Sequence, residues 1–145
     1  MFRHFMELAG YICQYEREHA IIVLLHGGGS NGKTSLVKVI RKMLGKNSVM
    51  SDRISSIEDS VFKIGDLDGK LMLLDDDVDG GTCLPDGFLK KISEEKAMTG
   101  QHKRQHPFEF VCRTVPVMLA NDYPVTSDLT MGLRRRLMVI PFKQT

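Results

Sequence analysis

The sequence predicts a single α/β domain in which helices flank a central, mainly parallel sheet. Apolar runs rich in isoleucine, valine, leucine and methionine alternate with stretches of helical periodicity, and strands that are covered on both faces have this composition. A glycine-rich loop joins the first apolar run to an amphipathic stretch, which gives the order strand, loop, helix. The 145 residues are the length of one ordinary domain, so we expect residues 1–145 to fold as one unit.

The first segment, residues 1–19, has the pattern of an N-terminal amphipathic helix. Its apolar side chains recur at helical spacing and its charges fall on the other side; the apolar set is Phe2, Phe5, Ala9, Ile12 and Cys13. The core follows over residues 20–145 and begins with a buried strand at 20–25. A helix is predicted from Lys33, with Leu36, Ile40 and Met43 or Leu44 on its apolar face.

Strands and helices continue to alternate beyond this helix. Gly45 marks the predicted end of this helix, and a short strand is predicted at 48–51. Ser55 with Glu58 matches a capping box that begins a short helix toward Phe62. The remaining predicted elements are strands at 71–74, 115–120 and 137–140, a helix after 85–87, and a hairpin inserted between 98 and 111 with a polar tip at 101–106.

Composition excludes several classes of protein. The net charge is only +2, so overall charge gives no argument for a nucleic-acid partner. The three cysteines match neither a zinc site nor a disulfide framework, which is typical of a reducing compartment. No stretch approaches the roughly 18 apolar residues of a membrane span. We therefore expect an intracellular protein with no membrane partner.

The glycine-rich loop matches a phosphate-binding motif, G-x-x-x-x-G-K-[ST], at Gly27, Gly32, Lys33 and Thr34. Glycines let backbone N–H groups turn toward phosphate oxygens at a helix N-terminus, Lys33 supplies a positive charge, and the Thr34 hydroxyl ligates magnesium. A chance glycine-rich turn is disfavoured by the strand before it and the helix after it. The predicted ligands are ATP and Mg²⁺, and the predicted nucleotide-binding residues are Gly28, Gly29, Ser30, Asn31, Gly32, Lys33, Thr34 and Ser35.

A second, acidic site follows the apolar run at 71–74. An ATPase of this kind needs a carboxylate at the end of a neighbouring strand. Asp75 is predicted to ligate magnesium through water, and Asp76 to orient the attacking water. Two alternatives stay open: the working pair is Asp76 with Asp77, or the aspartates form a solvated acidic turn.

Five segments in order resemble the superfamily 3 helicases, in particular the helicase part of phage, plasmid and poxvirus-type primase-helicases, which are AAA+-like P-loop ATPases. These segments are HGGGSNGKTSL, GKLMLLDDD, KKISEEKAMTGQHKRQHPFEF, VMLANDYP and GLRRRLMVIPF. Together they span nearly the whole chain, and each of the last three alone is a weak signal.

The resemblance implies an ATPase that forms a ring, usually a hexamer, around DNA and unwinds it during replication. It implies hydrolysis of ATP at subunit interfaces, single-stranded DNA in the channel, an attached or associated primase, and a location in the cytoplasm of a host cell. Since about twenty residues precede the first strand and the chain ends soon after Phe142, we expect an excised or unusually short core.

The resemblance also assigns roles to residues. Asn121 is the expected sensor of the γ-phosphate or attacking water, although Asn-Asp also favours a plain turn. Arg136, or Arg135 as second choice, is the expected arginine finger, although a charge run is usually a solvated face. Lys103 and Arg104, with His102 next, are the expected DNA contacts at the hairpin tip, against the alternative of a solvated turn.

Two other classes of function remain alternatives to a helicase motor. A small-molecule or nucleoside kinase also carries this phosphate loop, but it needs a mobile, arginine-rich lid where this chain has a hairpin. A replication initiator that binds ATP and hydrolyses it slowly is the other alternative. Turnover that depends on protein concentration would distinguish an interface-completed site from a monomeric kinase.

Overall fold

A five-stranded parallel sheet forms the centre of the computed structural model, which describes residues 2–127 and 130–143. Its spatial order is β2-β3-β6-β1-β7, and every neighbouring pair is parallel. The strands are β1 (Ile22–His26), β2 (Val49–Ser51), β3 (Met72–Val78), β6 (Val115–Ala120) and β7 (Leu137–Pro141). β4 (Ala97–Gly100) and β5 (Phe108–Val111) form an antiparallel hairpin, which is a separate two-stranded sheet. The predicted α/β class with an inserted hairpin is confirmed.

One helix precedes the first strand, and further helices join the strands. They are α1 (Phe2–Ile12), α2 (Lys33–Leu44), α3 (Ile54–Ile57), α4 (Val61–Gly65), α5 (Asp86–Ser93) and α6 (Met131–Arg134), with a 3₁₀ turn at Lys46–Ser48. Helix α2 ends at Gly45, whose φ of 83° lies in the left-handed region that glycine tolerates. Its buried face contains Val37 and Ile40, whereas Met43 is exposed.

Hydrophobic side chains cover both faces of the sheet. Along β1, Ile22 and Leu24 join one core cluster, and Val23 and Leu25 join the other, because successive side chains of a strand point to opposite faces. The first cluster includes residues of α3, α5 and the hairpin, and the second includes residues of α1 and α2. Burial on both faces explains why the strands are continuous apolar runs in the sequence.

Helix α1 is shorter than the predicted segment 1–19. It ends at Ile12, and the Arg17 guanidinium donates hydrogen bonds to the carbonyl oxygens of Tyr11 and Ile12 in its last turn. These bonds satisfy carbonyls that have no partner within the helix. The buried face contains Phe5, Leu8, Ala9 and Ile12, whereas Cys13 is exposed; the side chain of Phe2 lies outside the described part.

The predicted capping box at Ser55 and Glu58 is wrong. Ser55 lies inside α3, and the serine that caps a helix is Ser60, whose hydroxyl accepts a hydrogen bond from the Lys63 N–H at the start of α4. Helix α3 instead begins at Ile54, whose buried side chain and that of Ile57 join the core. Tertiary burial rather than the local capping signal sets the start of α3.

Within residues 2–127 and 130–143, no helix is long and apolar enough to cross a membrane.

Candidate functional site

A cleft of about 320 Å³ lies at the carboxyl ends of the central strands. The loop after β1, the end of β3 and the end of β6 meet there because β6 lies between β3 and β1 in the sheet. The lining residues are Gly29, Ser30, Asn31, Gly32, Lys33, Thr34, Ser35, Asp76, Asp77, Leu119 and Asn121. In open α/β sheets ligands bind at this edge, so the cleft is the candidate nucleotide-binding site.

The phosphate-binding loop is fixed to the last strand. The Asn31 side-chain amide donates to the Phe142 carbonyl oxygen at 3.3 Å, and the Phe142 N–H donates to the His26 carbonyl oxygen at 2.7 Å. A Cβ atom on Gly27 would overlap the Phe142 carbonyl and the Asn31 amide, so only glycine fits there. Contacts with Phe142, the residue that follows β7, therefore hold the loop in shape.

Lys33 is the first residue of α2 and is almost completely buried. Its ammonium donates to the carbonyl oxygens of Gly27 and Gly28 (3.2 Å to the latter), and to the side-chain oxygens of Asn31 at 3.1 Å and Asn121 at 3.2 Å. Burial lowers the pKa of Lys33. An ammonium held by neutral oxygens has no counter-ion among these partners, which suits it to bind an anion such as a phosphate.

The start of α2 fits a phosphate group. Gly32 occupies the N-cap position with a φ of 86° and has no side chain that could cap the first N–H groups. Those N–H groups have no intrahelical acceptor, and the positive end of the helix dipole favours negative charge. The first turn therefore offers donors beside the Lys33 ammonium.

Oxygen donors suited to Mg²⁺ lie across the same cleft. The hydroxyls of Thr34 and Ser35 are exposed in the first turn of α2, and the carboxylates of Asp76 and Asp77 line the cleft from the end of β3. Magnesium prefers hard oxygen ligands, usually one or two carboxylates together with substrate phosphates. Thr34, Asp76 and Asp77 are thus the residues that could hold the ion.

Asp75 does not line this cleft, contrary to its predicted role as a magnesium ligand. It is buried, and its carboxylate accepts a hydrogen bond from the Ile54 N–H at 2.9 Å. The pairing of β3 with β6 shows a bulge after Asp75: two residues, Asp76 and Asp77, lie between Asp75 and Val78, but only one lies between their partners on β6, Met118 and Ala120. The bulge leaves both Asp76 and Asp77 exposed to the cleft, as in the alternative pairing.

Asn121 lies directly after β6, beside the phosphate-binding loop. Its contact with the Lys33 ammonium gives the predicted sensor position a specific partner in the site. Leu119 also lines the cleft and was not singled out from the sequence. Strand alternation could have found it, because residues 119 and 121 share one face.

The arginines before β7 occupy different environments. Arg136, the first choice for an arginine finger, is buried; its guanidinium forms an ion pair with Glu94 and donates to the Gly132 carbonyl. Arg135 and Arg134 are exposed. The arginine finger stays a prediction: Arg136 is paired within its own chain, whereas Arg135 is exposed.

The charged residues of the hairpin tip are not among those that line the cleft. Lys103 and Arg104 are exposed, and Arg104 has a φ of 64°, which places it in a tight turn. His102 is partly buried: its ring stacks on Phe108, with ring centroids 4.9 Å apart, and lies 3.7 Å from the Asp66 carboxylate. Lys103 and Arg104 are therefore the tip residues available to a ligand, whereas His102 supports the turn.

The chain is 26% identical over 125 residues to "Putative helicase L207/L206" of Acanthamoeba polyphaga mimivirus, which covers 82% of this chain and 13% of that protein. The chain thus spans only a small part of that relative.

Two solved structures share the fold. The apo C-terminal region of NrS-1 matches with a TM-score of 0.69 and 20% identity, over 97% of this chain and 33% of that chain. JCV helicase matches with a TM-score of 0.68 and 18% identity, over 97% of this chain and 40% of that chain. These likenesses show that the predicted α/β fold is the one found in the NrS-1 region and in JCV helicase.

A family model matches residues 25–136, which include the phosphate-binding loop, the aspartates of β3, Asn121 and the arginines. This match covers most of the chain. The protein therefore belongs to the family of unknown function DUF5906.

Proposed function

We propose that this chain is the motor core of an ATP-dependent DNA helicase. It hydrolyses ATP at subunit interfaces of a ring of six copies and moves along one DNA strand, as in phage- or plasmid-type replication with an attached or associated primase. The observation that carries the proposal is the cleft in which Lys33 and Thr34 face Asp76, Asp77 and Asn121. The fold shared with JCV helicase and the similarity to the mimivirus protein support it.

Each group in the cleft has a role in hydrolysis. The Lys33 ammonium exchanges its contacts with loop carbonyls for the β- and γ-phosphates, beside the free N–H groups of α2. Asp76 orients the attacking water, and Asn121 contacts that water or the γ-phosphate. When bound to Thr34, Asp76 and Asp77, Mg²⁺ offsets the charge that develops on the phosphates.

Arg135 completes the site of the neighbouring subunit. It is exposed at the end of α6, whereas the guanidinium of Arg136 is already paired with Glu94. An arginine supplied from another subunit is worth about a thousandfold or more in rate. Turnover should therefore depend on assembly.

The hairpin tip contacts DNA through phosphates. Lys103 and Arg104 provide two exposed positive charges on a turn that His102 and Phe108 hold in shape. Contacts of this kind do not depend on base sequence and weaken as salt rises.

The first test measures ATP hydrolysis against protein concentration, with and without single-stranded DNA. We expect turnover that rises more than linearly with protein and increases with DNA. Lys33→Ala should abolish it, because the variant has no positive charge at the phosphates. Lys38→Ala is the matched control, since Lys38 is an exposed lysine of the same helix.

Other outcomes would identify the alternatives. Linear turnover that is indifferent to DNA, with phosphate transfer to an acceptor, would indicate a kinase. ATP binding with little hydrolysis at any concentration would indicate an initiator-like protein. Turnover of Lys33→Ala close to that of the wild type would remove the cleft from the proposal.

A second test addresses the hairpin with the double variant Lys103→Ala/Arg104→Ala. We expect weaker binding to single-stranded DNA of every sequence, unchanged nucleotide binding, and a salt slope smaller by about 0.7 for each phosphate that the tip no longer neutralises. The control is Arg41→Ala/Lys42→Ala, which removes the same two charges from exposed positions on α2. Equal DNA affinity and slope in both double variants would exclude the tip as the site of DNA binding.

Mixing inactive subunits tests the role of Arg135. Subunits with Lys33→Ala keep their arginine, and subunits with Arg135→Ala keep an intact cleft. Mixed rings should recover part of the activity at interfaces where an intact cleft meets an intact arginine. A mixture that stays inactive at ring-forming concentration would contradict an interface role for Arg135.

A further inference from the structure

Asp75 lies beside the cleft but contacts a different part of the molecule. Its buried carboxylate accepts a hydrogen bond from the backbone N–H of Ile54, the first residue of α3, and the next two residues of β3, Asp76 and Asp77, line the cleft. Burial raises the pKa of Asp75, and the Ile54 N–H opposes that rise. One carboxylate thus joins the acidic end of β3 to the start of α3.

Helices α3 and α4 are held to each other by a polar network. The Lys63 ammonium contacts the Asp52 carboxylate at 2.7 Å and the Ser56 hydroxyl at 2.8 Å. The Asp52 carboxylate also accepts hydrogen bonds from Ser56 and from the Arg53 N–H. Together with the buried side chains of Ile54 and Ile57, this network ties the two short helices together.

Helix α4 in turn holds the base of the hairpin. The Gln101 N–H donates to the Val61 carbonyl at 3.1 Å. Gly65 and Gly100 pack backbone to backbone: a Cβ on Gly65 would lie 2.8 Å from the Gln101 carbonyl oxygen, and a Cβ on Gly100 would overlap the Gly65 backbone. The hairpin tip begins directly after this contact.

We propose that Asp75 is a positioning residue which, through α3 and α4, transmits nucleotide occupancy of the cleft to the hairpin tip. The inference rests on the proposed function for the identity of the nucleotide and of the tip's ligand. The contact between α4 and the hairpin joins backbone atoms on both sides, and at the other end of the route the buried Asp75 carboxylate binds a backbone N–H of α3. A displacement of Asp76 and Asp77, which follow Asp75 in β3, therefore reaches backbone atoms at both ends of the route.

Two variants interrupt the route at different places. Asp75→Leu has a similar size but no acceptor for the Ile54 N–H, whereas Asp75→Asn keeps an acceptor oxygen. Gly65→Ala adds a methyl group against the Gln101 backbone, and Gly65 is not among the residues that line the cleft. Its matched control is Gly10→Ala in α1, where a Cβ would meet no atom within 4 Å.

The experiment measures hydrogen exchange of the amides at 101–106 with and without magnesium and a nonhydrolysable ATP analogue, beside the affinity for the analogue. In the wild type, Asp75→Asn and Gly10→Ala, we expect the analogue to change these exchange rates by at least about threefold. In Asp75→Leu and Gly65→Ala the affinity should stay within about twofold, and the change at the tip should disappear.

The outcomes separate this inference from the proposed function. If the wild type binds the analogue and the tip does not respond, or if folded Gly65→Ala responds like the wild type, the route is wrong and the nucleotide site stands. If the wild type does not bind the analogue, the proposed function fails and the inference fails with it. If Asp75→Leu does not fold, Gly65→Ala still decides.

Discussion

Replacing Arg136 with methionine separates a structural role from a catalytic one. The Arg136 side chain is only 8% exposed and forms an ion pair with Glu94, which is 22% exposed and also pairs with Lys96. Removing one member of a buried ion pair typically costs about 3–5 kcal/mol. Because Glu94 keeps Lys96 as a partner, we expect a decrease near the lower end, about 3 kcal/mol of unfolding free energy.

The chain has no tryptophan, so urea and thermal unfolding are best followed by far-ultraviolet circular dichroism. For a domain of this size, 1 kcal/mol shifts Tm by about 2–4 °C, so Arg136→Met should lower Tm by about 6–12 °C. The control is Arg135→Met at the exposed neighbouring position, which should stay within about 0.5 kcal/mol of the wild type. Adding Glu94→Gln to Arg136→Met should recover part of the stability, since the unpaired carboxylate is then removed.

The result that would refute this reasoning is an Arg136→Met protein as stable as the wild type. If that protein also had no ATP turnover, Arg136 rather than Arg135 would be the catalytic arginine, and its pairing with Glu94 would be a resting contact. A decrease in stability with turnover retained below the lowered Tm would instead establish Arg136 as part of the framework.

Two further predictions concern α3 and α4. Ser60→Ala should lower the unfolding free energy by about 1 kcal/mol, because α4 then has no side-chain cap. Ser55→Ala should change the unfolding free energy little. Equal unfolding free energies of the two variants would contradict this assignment. Burial opposes the ionisation of Asp52, but hydrogen bonds from Lys63, Arg53 and Ser56 lower its pKa below the ordinary value. The ionised carboxylate therefore stabilises the fold above its unfolded pKa of about 3.9. This stabilisation is lost as the pH falls through the lower pKa of the folded state. The unfolding free energies of the wild type and Lys63→Met should therefore differ more at pH 7 than at acid pH, and a gap independent of pH would show that the pair contributes nothing through charge.

Much of the phosphate-binding site could be predicted because it is local in sequence. Residues 27–35 form one continuous loop and helix start, so a pattern of adjacent residues specifies the arrangement of its backbone N–H groups, of Lys33 and of Thr34. Asn121 was predictable for a related reason, since a polar residue after a buried apolar run marks the end of a strand. The structure shows Asn121 in contact with Lys33.

The acidic site was only partly predictable. Four aspartates stand at 75, 76, 77 and 79, and strand alternation alone cannot say which of them face the cleft. The bulge between Asp75 and Val78 decides this, and it exists only in the pairing of β3 with β6, some forty residues away in sequence. The boundaries of α1 and α3 differed from prediction for a similar reason, because Arg17 and the core contacts of Ile54 set them.

The sequence by itself determined the class of the fold, the phosphate-binding loop and the position of the hairpin, because each depends on residues that are neighbours along the chain. Only the tertiary structure decided that Asp76 and Asp77 share the cleft, that Asp75 holds α3, and that Arg136 is paired while Arg135 is exposed. These assignments depend on which side of a strand or helix turn meets a distant partner. A buried charge without a partner would destabilise the fold. The distant partner, rather than the local sequence pattern, therefore determines the role of such a side chain.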